Sequence, residues 1–429
     1  MSQTVTPFRA RPPSVHELQG SADPSECPEA ITLDGLLQRS LIVCCGSGGV
    51  GKTTLAAALG LEAARRGRRV LVLTIDPARR LASALGLTGI GNDETPIPRA
   101  LLQQAGVPDA GALSALMLDA QKTFDGMVGR LAPSTEIRDR ILANRYYQQI
   151  SGAMVGTHEY MAMERLLSVY EASTYDLIVL DTPPSRHALD FLTAPARLQR
   201  VLEEGVIKWL LQPTTSLAAR FSQKLSGSLE SGMLGSLERI LGLSMLGELS
   251  EFVQHFQSLL GGMKTRAARA EALLAGRCSA FVLVTAPAKL SIEEAAFFRQ
   301  QLQAQGLPFA GFIVNRAQPV ALLGALGERL LALQDAPLTH WSALLPCPEG
   351  TSAEQHDAML LALRTWATEI FARLRADRAQ LSWLRSQGGD DTLFLTLPEM
   401  PEDIHDIEGL LALADQIRRA ALASEAGGP

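Results

Sequence analysis

The sequence predicts an α/β fold: a doubly wound, mostly parallel sheet carrying an inserted helical subdomain. Three observations predict it. Short, continuously apolar runs recur along the chain, as in strands buried on both faces. Ala- and Leu-rich helical patterns separate them, as parallel crossovers require. Two long intervals then carry apolar residues at helical spacing, too long for simple crossovers without a packed structure of their own.

The first ordered run is Leu41-Ile42-Val43-Cys44-Cys45, followed by a glycine-rich turn and a helix from Lys52 to Arg66 stopped by Gly67. Val70 to Ile75 forms the next strand and ends at Asp76, completing a strand–helix–strand unit with a right-handed crossover. Further buried strands are expected at Leu177–Leu180, Ala280–Thr285 and Phe312–Val314, with Leu344-Leu345 and Leu393-Phe394-Leu395 closing the sheet. The two helical intervals, 113–170 and 196–272, are assigned to the inserted subdomain within a domain spanning 36–425. In the second, Val206, Trp209 and Leu210, Leu237, Ile240 and Leu241, and Phe252, Phe256, Leu259 and Leu260 keep spacings of three and four. A glycine-rich segment around 383–391 leads to the last strand and a closing helix near 404–420. Residues 1–35, rich in Pro, Ser and charge, read as a disordered leader.

Composition narrows the function. Of 429 residues 47% are hydrophobic, enough for a large core, and no apolar run is long enough to cross a bilayer. A net charge of −6 argues against a general nucleic-acid binder. The five cysteines form no C-x-x-C pair; their odd number without a signal peptide points to reduced thiols and a cytoplasmic location, with any membrane contact made peripherally or through a partner.

Gly46-Ser47-Gly48-Gly49-Val50-Gly51-Lys52-Thr53-Thr54 satisfies G-x-x-x-x-G-K-[ST] between a strand and a helix, the context that makes the pattern a phosphate-binding P-loop. Its glycines let backbone N–H groups converge, the helix N-terminus adds partial positive charge, Lys52 neutralises β- and γ-phosphates, and the Thr53 hydroxyl ligates Mg²⁺. Asp76 ends a parallel strand beside the P-loop strand, where it orients or deprotonates a water or caps a helix beginning at Pro77. Asp181 ends Leu177-Ile178-Val179-Leu180-Asp181, a Walker B arrangement that holds Mg²⁺ directly or through water.

These segments together resemble the ArsA-type ATPases, the group of the arsenite-efflux ATPase and the ATPase that targets tail-anchored membrane proteins, within the deviant-Walker P-loop proteins. GSGGVGKTT is similar to their P-loop, TIDPARRLASALG to their first switch and DTPPSRHALDFL to their second. FVLVTAPAKLSIEEAAFF, FIVNRAQP and HDIEGLLAL extend the likeness over about residues 38–420. The resemblance implies ATP and Mg²⁺ as ligands and hydrolysis coupled to opening and closing of a dimer. It also implies that Lys52, Asp76 and Asp181 serve catalysis, that Asn315 reads adenine and that Pro346 packs on it.

One departure stands out. The family's signature lysine, second in the P-loop, is replaced by Ser47, so the cation that reaches the partner's phosphates is missing. Either the chain pairs with a lysine-bearing paralogue, or Arg79 or Arg80 substitutes in a homodimer. The cysteines suit a metalloid site poorly: Cys44 and Cys45 precede the P-loop in a buried strand, and the helical intervals contain none. Those intervals carry Met117, Met127, Met154, Met161, Met163, Met233, Met245 and Met263, which either line a groove for a hydrophobic protein cargo or pack an ordinary core. His158 and Glu159 either link the helical part to the ATP site or lie in an exposed loop, and His187 is read as a switch residue. The leading expectation is an ATPase switch handling a hydrophobic protein segment. The alternatives are an arsenite or anion pump subunit and a catalytically weak regulatory subunit of a heterodimer.

Overall fold

A computed structural model describes residues 32–76, 80–87, 89–144, 147–148, 157–183, 243–317, 332–333, 336–342, 347, 350–389 and 391–426. Among these residues eight strands form one sheet: β1 (Leu41–Gly46), β2 (Arg69–Thr74), β3 (Thr95–Pro96), β4 (Ala112–Met117), β5 (Leu177–Asp181), β6 (Ser279–Thr285), β7 (Phe309–Ala317) and β8 (Leu393–Pro398). Their order is β3-β4-β2-β5-β1-β6-β7-β8, and every pairing is parallel except that of the short edge strand β3 with β4. All six residues of β1 are buried, as its continuous apolar run demands of a strand covered on both faces. With β5 on one side of β1 and β6 on the other, the carboxyl end of β1 is where ligands of open parallel sheets lodge.

Register sets up the site. Asp181 of β5 lies opposite Cys44 of β1 and Thr74 of β2, so the strand that leads into the P-loop, the acidic strand and the first-switch strand end side by side.

One face of the sheet is covered by the Lys52–Arg65 and Ile407–Glu425 helices, whose Ala- and Leu-rich surfaces share a cluster with Ile42, Val72 and Val282. The other face packs Met163 and Leu166 of the Thr157–Glu171 helix and Ile292 and Phe298 of the Lys289–Ala304 helix onto Val43, Leu73 and Phe281. Away from the sheet, Phe124, Met127, Ile141, Tyr160, Met161, Leu259 and Met263 form a separate cluster. The helices Ala120–Leu131, Thr135–Ala143, Thr157–Glu171 and Leu243–Ala275 supply it. A further small cluster gathers Trp341, Leu360, Ala367 and Phe371 along the first half of the Ala353–Gly388 helix.

The structure corrects several expectations. The interval 113–170 opens with a strand, because β4 pairs with β2 along its whole length; tertiary pairing overrides the helix propensity of Ala-Leu-Ser-Ala-Leu-Met. The segment 383–391 is mostly the last turns of the helix ending at Gly388. The closing helix begins at Ile407, where the Asp406 side chain accepts from Gly409 N. The last residues of the expected leader are structured, since Thr32 caps the Leu33–Leu37 helix and Leu33 and Leu36 are buried. Cys278 is disulfide-bonded, against the expectation of reduced thiols throughout, whereas Cys44, Cys45 and Cys347 are free. Leu344-Leu345 and residues 196–242 lie outside the described residues.

Candidate functional site

The turn after β1 wraps back over the sheet. Gly46 has φ +153°, and a Cβ there would sit 2.0 Å from the Val284 carbonyl oxygen of β6. Gly51, at φ +91°, is the N-cap of the Lys52–Arg65 helix, in a left-handed conformation that favours glycine. Gly48 and Gly49 are exposed at the crest of the loop, Val50 is buried, and Thr54 is half-buried in the first helical turn.

Lys52 is buried and its Nζ donates to the Ser47 carbonyl at 2.8 Å. Desolvation pulls its pKa below the ordinary lysine value; the opposite charges of Asp181 and Asp76 oppose this, while Arg80 reinforces it. The ammonium is thus held at the mouth of its own loop with two acids nearby.

Asp181 is fully buried. Its Oδ2 accepts from Thr53 Oγ1 at 2.7 Å and from Thr74 Oγ1 at 2.8 Å. Oδ1 is sealed from solvent and has no hydrogen-bond partner among the described residues. Burial raises the carboxyl pKa to about 6, against the opposing pull of the two threonines and Lys52. Ser47 Oγ is likewise buried without a partner among the described residues. A native interior rarely leaves such atoms unsatisfied without a reason. Here an orphan carboxylate oxygen beside a threonine hydroxyl is a hard, oxygen-donor set suited to Mg²⁺, and the adjoining loop of amides and one ammonium suits the phosphates such an ion accompanies. The residues present therefore fit Mg²⁺ and a polyphosphate.

Asp76 lies two residues beyond the end of β2, half-buried, where its charge acts on both Lys52 and Asp181. The neighbouring backbone is held from two sides: Ile75 N–H donates to Asp181 O at 3.1 Å, and His158 Nε2 lies 3.4 Å from Ile75 O. A carbonyl only accepts, so the contact is a hydrogen bond in the tautomer that carries its proton on Nε2, and it links the first turn of the Thr157–Glu171 helix to the backbone just before Asp76. His158 and Glu159 are half-buried on that helix, which removes the exposed-loop reading.

Asn315 lies at the end of β7, where its Nδ2 donates to the Val50 carbonyl at 2.9 Å. Arg80 opens the Arg80–Ala84 helix and is exposed. Residues 77–79, with Arg79, and Pro346 and His187 lie outside the described residues.

The structure brings Ser47, Lys52, Thr53 and Asp181 together and adds Thr74, which sequence reasoning missed. The available signal was a threonine in the otherwise aliphatic run Val70-Leu71-Val72-Leu73-Thr74-Ile75, two residues before the acid.

The cysteines before the P-loop pack as hydrophobes: burial pushes the Cys45 thiol up to about 12 and Cys44 well above the usual range, so neither is a thiolate. Met127, Met161, Met163 and Met263 are all buried, which favours core packing over a groove for these four. Met154, Met233 and the side chain of Met245 lie outside what the structure describes.

Residues 39–321 match the family described as anion-transporting ATPase (ArsA ATPase). The ATPase get3 of Neurospora crassa is 27% identical over 289 residues, covering 66% of this chain and 76% of the relative. The ATPase GET3 of Malassezia globosa is 31% identical over 174 residues, covering 40% of this chain and 48% of the relative. An uncharacterized protein of Streptomyces coelicolor, SCO2128, is 27% identical over 373 residues, covering 86% of this chain and 78% of its own length. With its motifs seated at the carboxyl end of a parallel sheet, and with that match over most of its length, the chain belongs to the anion-transporting ATPase (ArsA) family.

Proposed function

We propose that this chain is a Mg²⁺-dependent ATPase whose nucleotide state works a dimeric switch. The observation that carries the reading is Asp181 Oδ1, buried and unpartnered beside the Thr53 hydroxyl and the Lys52 ammonium. Bound Mg²⁺ would be held by Thr53 and Asp181, the latter directly or through water, and would offset charge on the β- and γ-phosphate oxygens. Lys52 exchanges its bond to the Ser47 carbonyl for one to phosphate, and the loop amides and the Ser47 hydroxyl complete the cradle. Asp76 orients the attacking water and accepts its proton, with the Ile75 backbone fixed by Asp181 and His158. Asn315 reads the adenine edge and Pro346 packs on the base, as the family resemblance implies.

Ser47 supports a companion reading. A buried serine places no cation on a partner's phosphates, so the chain turns over slowly alone and is completed by a lysine-bearing paralogue, or by Arg79 or Arg80 across a homodimer. Because Arg80 is exposed and close enough for its charge to act on Lys52, it is the described residue suited to that task. The proposal extends to a cytosolic location and a hydrophobic protein cargo in the helical part, both resting on the family resemblance. Among the described residues no helix is long and apolar enough to cross a membrane.

Phosphate release tests the reading. Wild type should hydrolyse Mg·ATP, Asp76→Asn should bind it yet lose roughly 100-fold or more in turnover, and arsenite should not stimulate. Turnover undiminished in Asp76→Asn would refute the assignment of Asp76.

A further inference from the structure

The interior of the P-loop is tied to a strand two places away. From β7, across β6, Asn315 reaches the loop and donates Nδ2–H to the Val50 carbonyl at 2.9 Å. The fit is close enough that a Cβ on Gly51 would lie 2.6 Å from Asn315 Nδ2, so Gly51 is glycine for this neighbour as well as for its positive φ. The backbone beyond Asn315 is bent to aim it. Arg316 takes φ +59°, uncommon for a side-chain-bearing residue, and the β7–β8 register shifts between Val314 and Ala317. Such irregularities re-aim side chains at the ends of strands next to sites, and they carry a local energetic cost.

The amide of Asn315 has a second N–H and a carbonyl oxygen besides the N–H given to Val50, so one side chain has capacity for both a purine edge and the loop. We propose that Asn315 is a positioning residue for the phosphate cradle: it holds the P-loop backbone from the base-binding side, making phosphate affinity depend on β7 even when no base is present. This rests on the reading of the site as one for a nucleoside triphosphate and deepens it. A residue that only reads the base would affect ATP and leave a bare polyphosphate alone. A residue that also shapes the loop affects both.

The test is calorimetric titration of Mg·ATP, Mg·GTP and Mg·tripolyphosphate into the full chain, as wild type, Asn315→Ala and Asn315→Asp. Aspartate keeps the size of asparagine but puts an acceptor against the Val50 carbonyl, and it serves if the alanine variant does not fold. Loss of one such hydrogen bond should weaken tripolyphosphate roughly 3- to 10-fold in Asn315→Ala, and further in Asn315→Asp. In parallel, amide hydrogen exchange across 46–54 in the nucleotide-free variants should run faster than in wild type. Tripolyphosphate affinity and loop exchange both unchanged, with only the preference of ATP over GTP lost, would overturn the proposal. Wild type that binds neither ATP nor tripolyphosphate would instead overturn the nucleotide reading itself.

Discussion

Glu164 in the helical layer and Asp181 in the sheet are both carboxylates withdrawn from solvent, and their surroundings differ. Glu164 takes Arg266 Nε on both oxygens, at 2.7 and 2.6 Å, and Arg130 at 2.8 Å; Arg266 continues to Glu171 at 2.9 Å. That set joins the Ala120–Leu131, Thr157–Glu171 and Leu243–Ala275 helices with its charge matched. Asp181 has two threonine hydroxyls on one oxygen, none on the other, and a pKa raised by burial. A matched buried charge is architecture, whereas an unmatched one costs stability and persists where a ligand is to complete it. The Glu164 set is matched within the helical layer, and the sheet's carboxyl edge is built to receive something.

The contrast breaks most readily at the P-loop. Replacing Lys52 with Ala removes the one ammonium of the cradle and should weaken Mg·ATP binding about 100-fold or more by calorimetry, leaving the melting temperature near that of wild type. At Glu164 the expected pattern is the reverse. Glu164→Gln removes the carboxylate charge that Arg266 and Arg130 share, leaving Arg266 paired with Glu171, and should lower unfolding free energy by roughly 2 kcal/mol in denaturant titration, with Mg·ATP affinity within about twofold of wild type.

Asp181→Asn sharpens the contrast by sign. A carboxyl whose folded pKa is raised to about 6 contributes stability that is full below the unfolded value and lost as pH climbs through 6, so at pH 8 the nucleotide-free protein bears the whole cost of the buried charge. Removing the charge should therefore stabilise the nucleotide-free protein by something on the order of 2 kcal/mol at pH 8, fading as pH falls below 6, while hydrolysis is lost. Destabilisation at pH 8 would show that Asp181 is already compensated. The smallest effect is expected at the join: His158→Ala, removing a long 3.4 Å contact to Ile75 O, should cost below about 1 kcal/mol in stability.

Much of this was legible in the sequence because local chemistry dictated it. The P-loop pattern, the apolar run closing on Asp181 and the glycine at 51 each have few structural solutions, and the structure seats them together. What escaped was decided by distant pairing. Ala-Leu-Ser-Ala-Leu-Met becomes β4 only because β2 lies beside it, and Thr74 becomes a partner of Asp181 only through the β2–β5 register. Asn315 was picked out by resemblance, but nothing local showed its bond to Val50, 265 positions away in sequence. The methionines allowed two readings, because side chains adaptable enough for a groove also fill irregular cores, and four of them do the latter here.

The central claim is that the open oxygen of Asp181 completes a Mg²⁺ site that works with the phosphate cradle. Titrating ATP into nucleotide-free protein with Mg²⁺ and with EDTA, for wild type and Asp181→Asn, tests it most directly. The account predicts that wild type binds at least about tenfold more tightly with Mg²⁺ and that the substitution erases the difference. Equal affinity of the wild type in Mg²⁺ and in EDTA would contradict it.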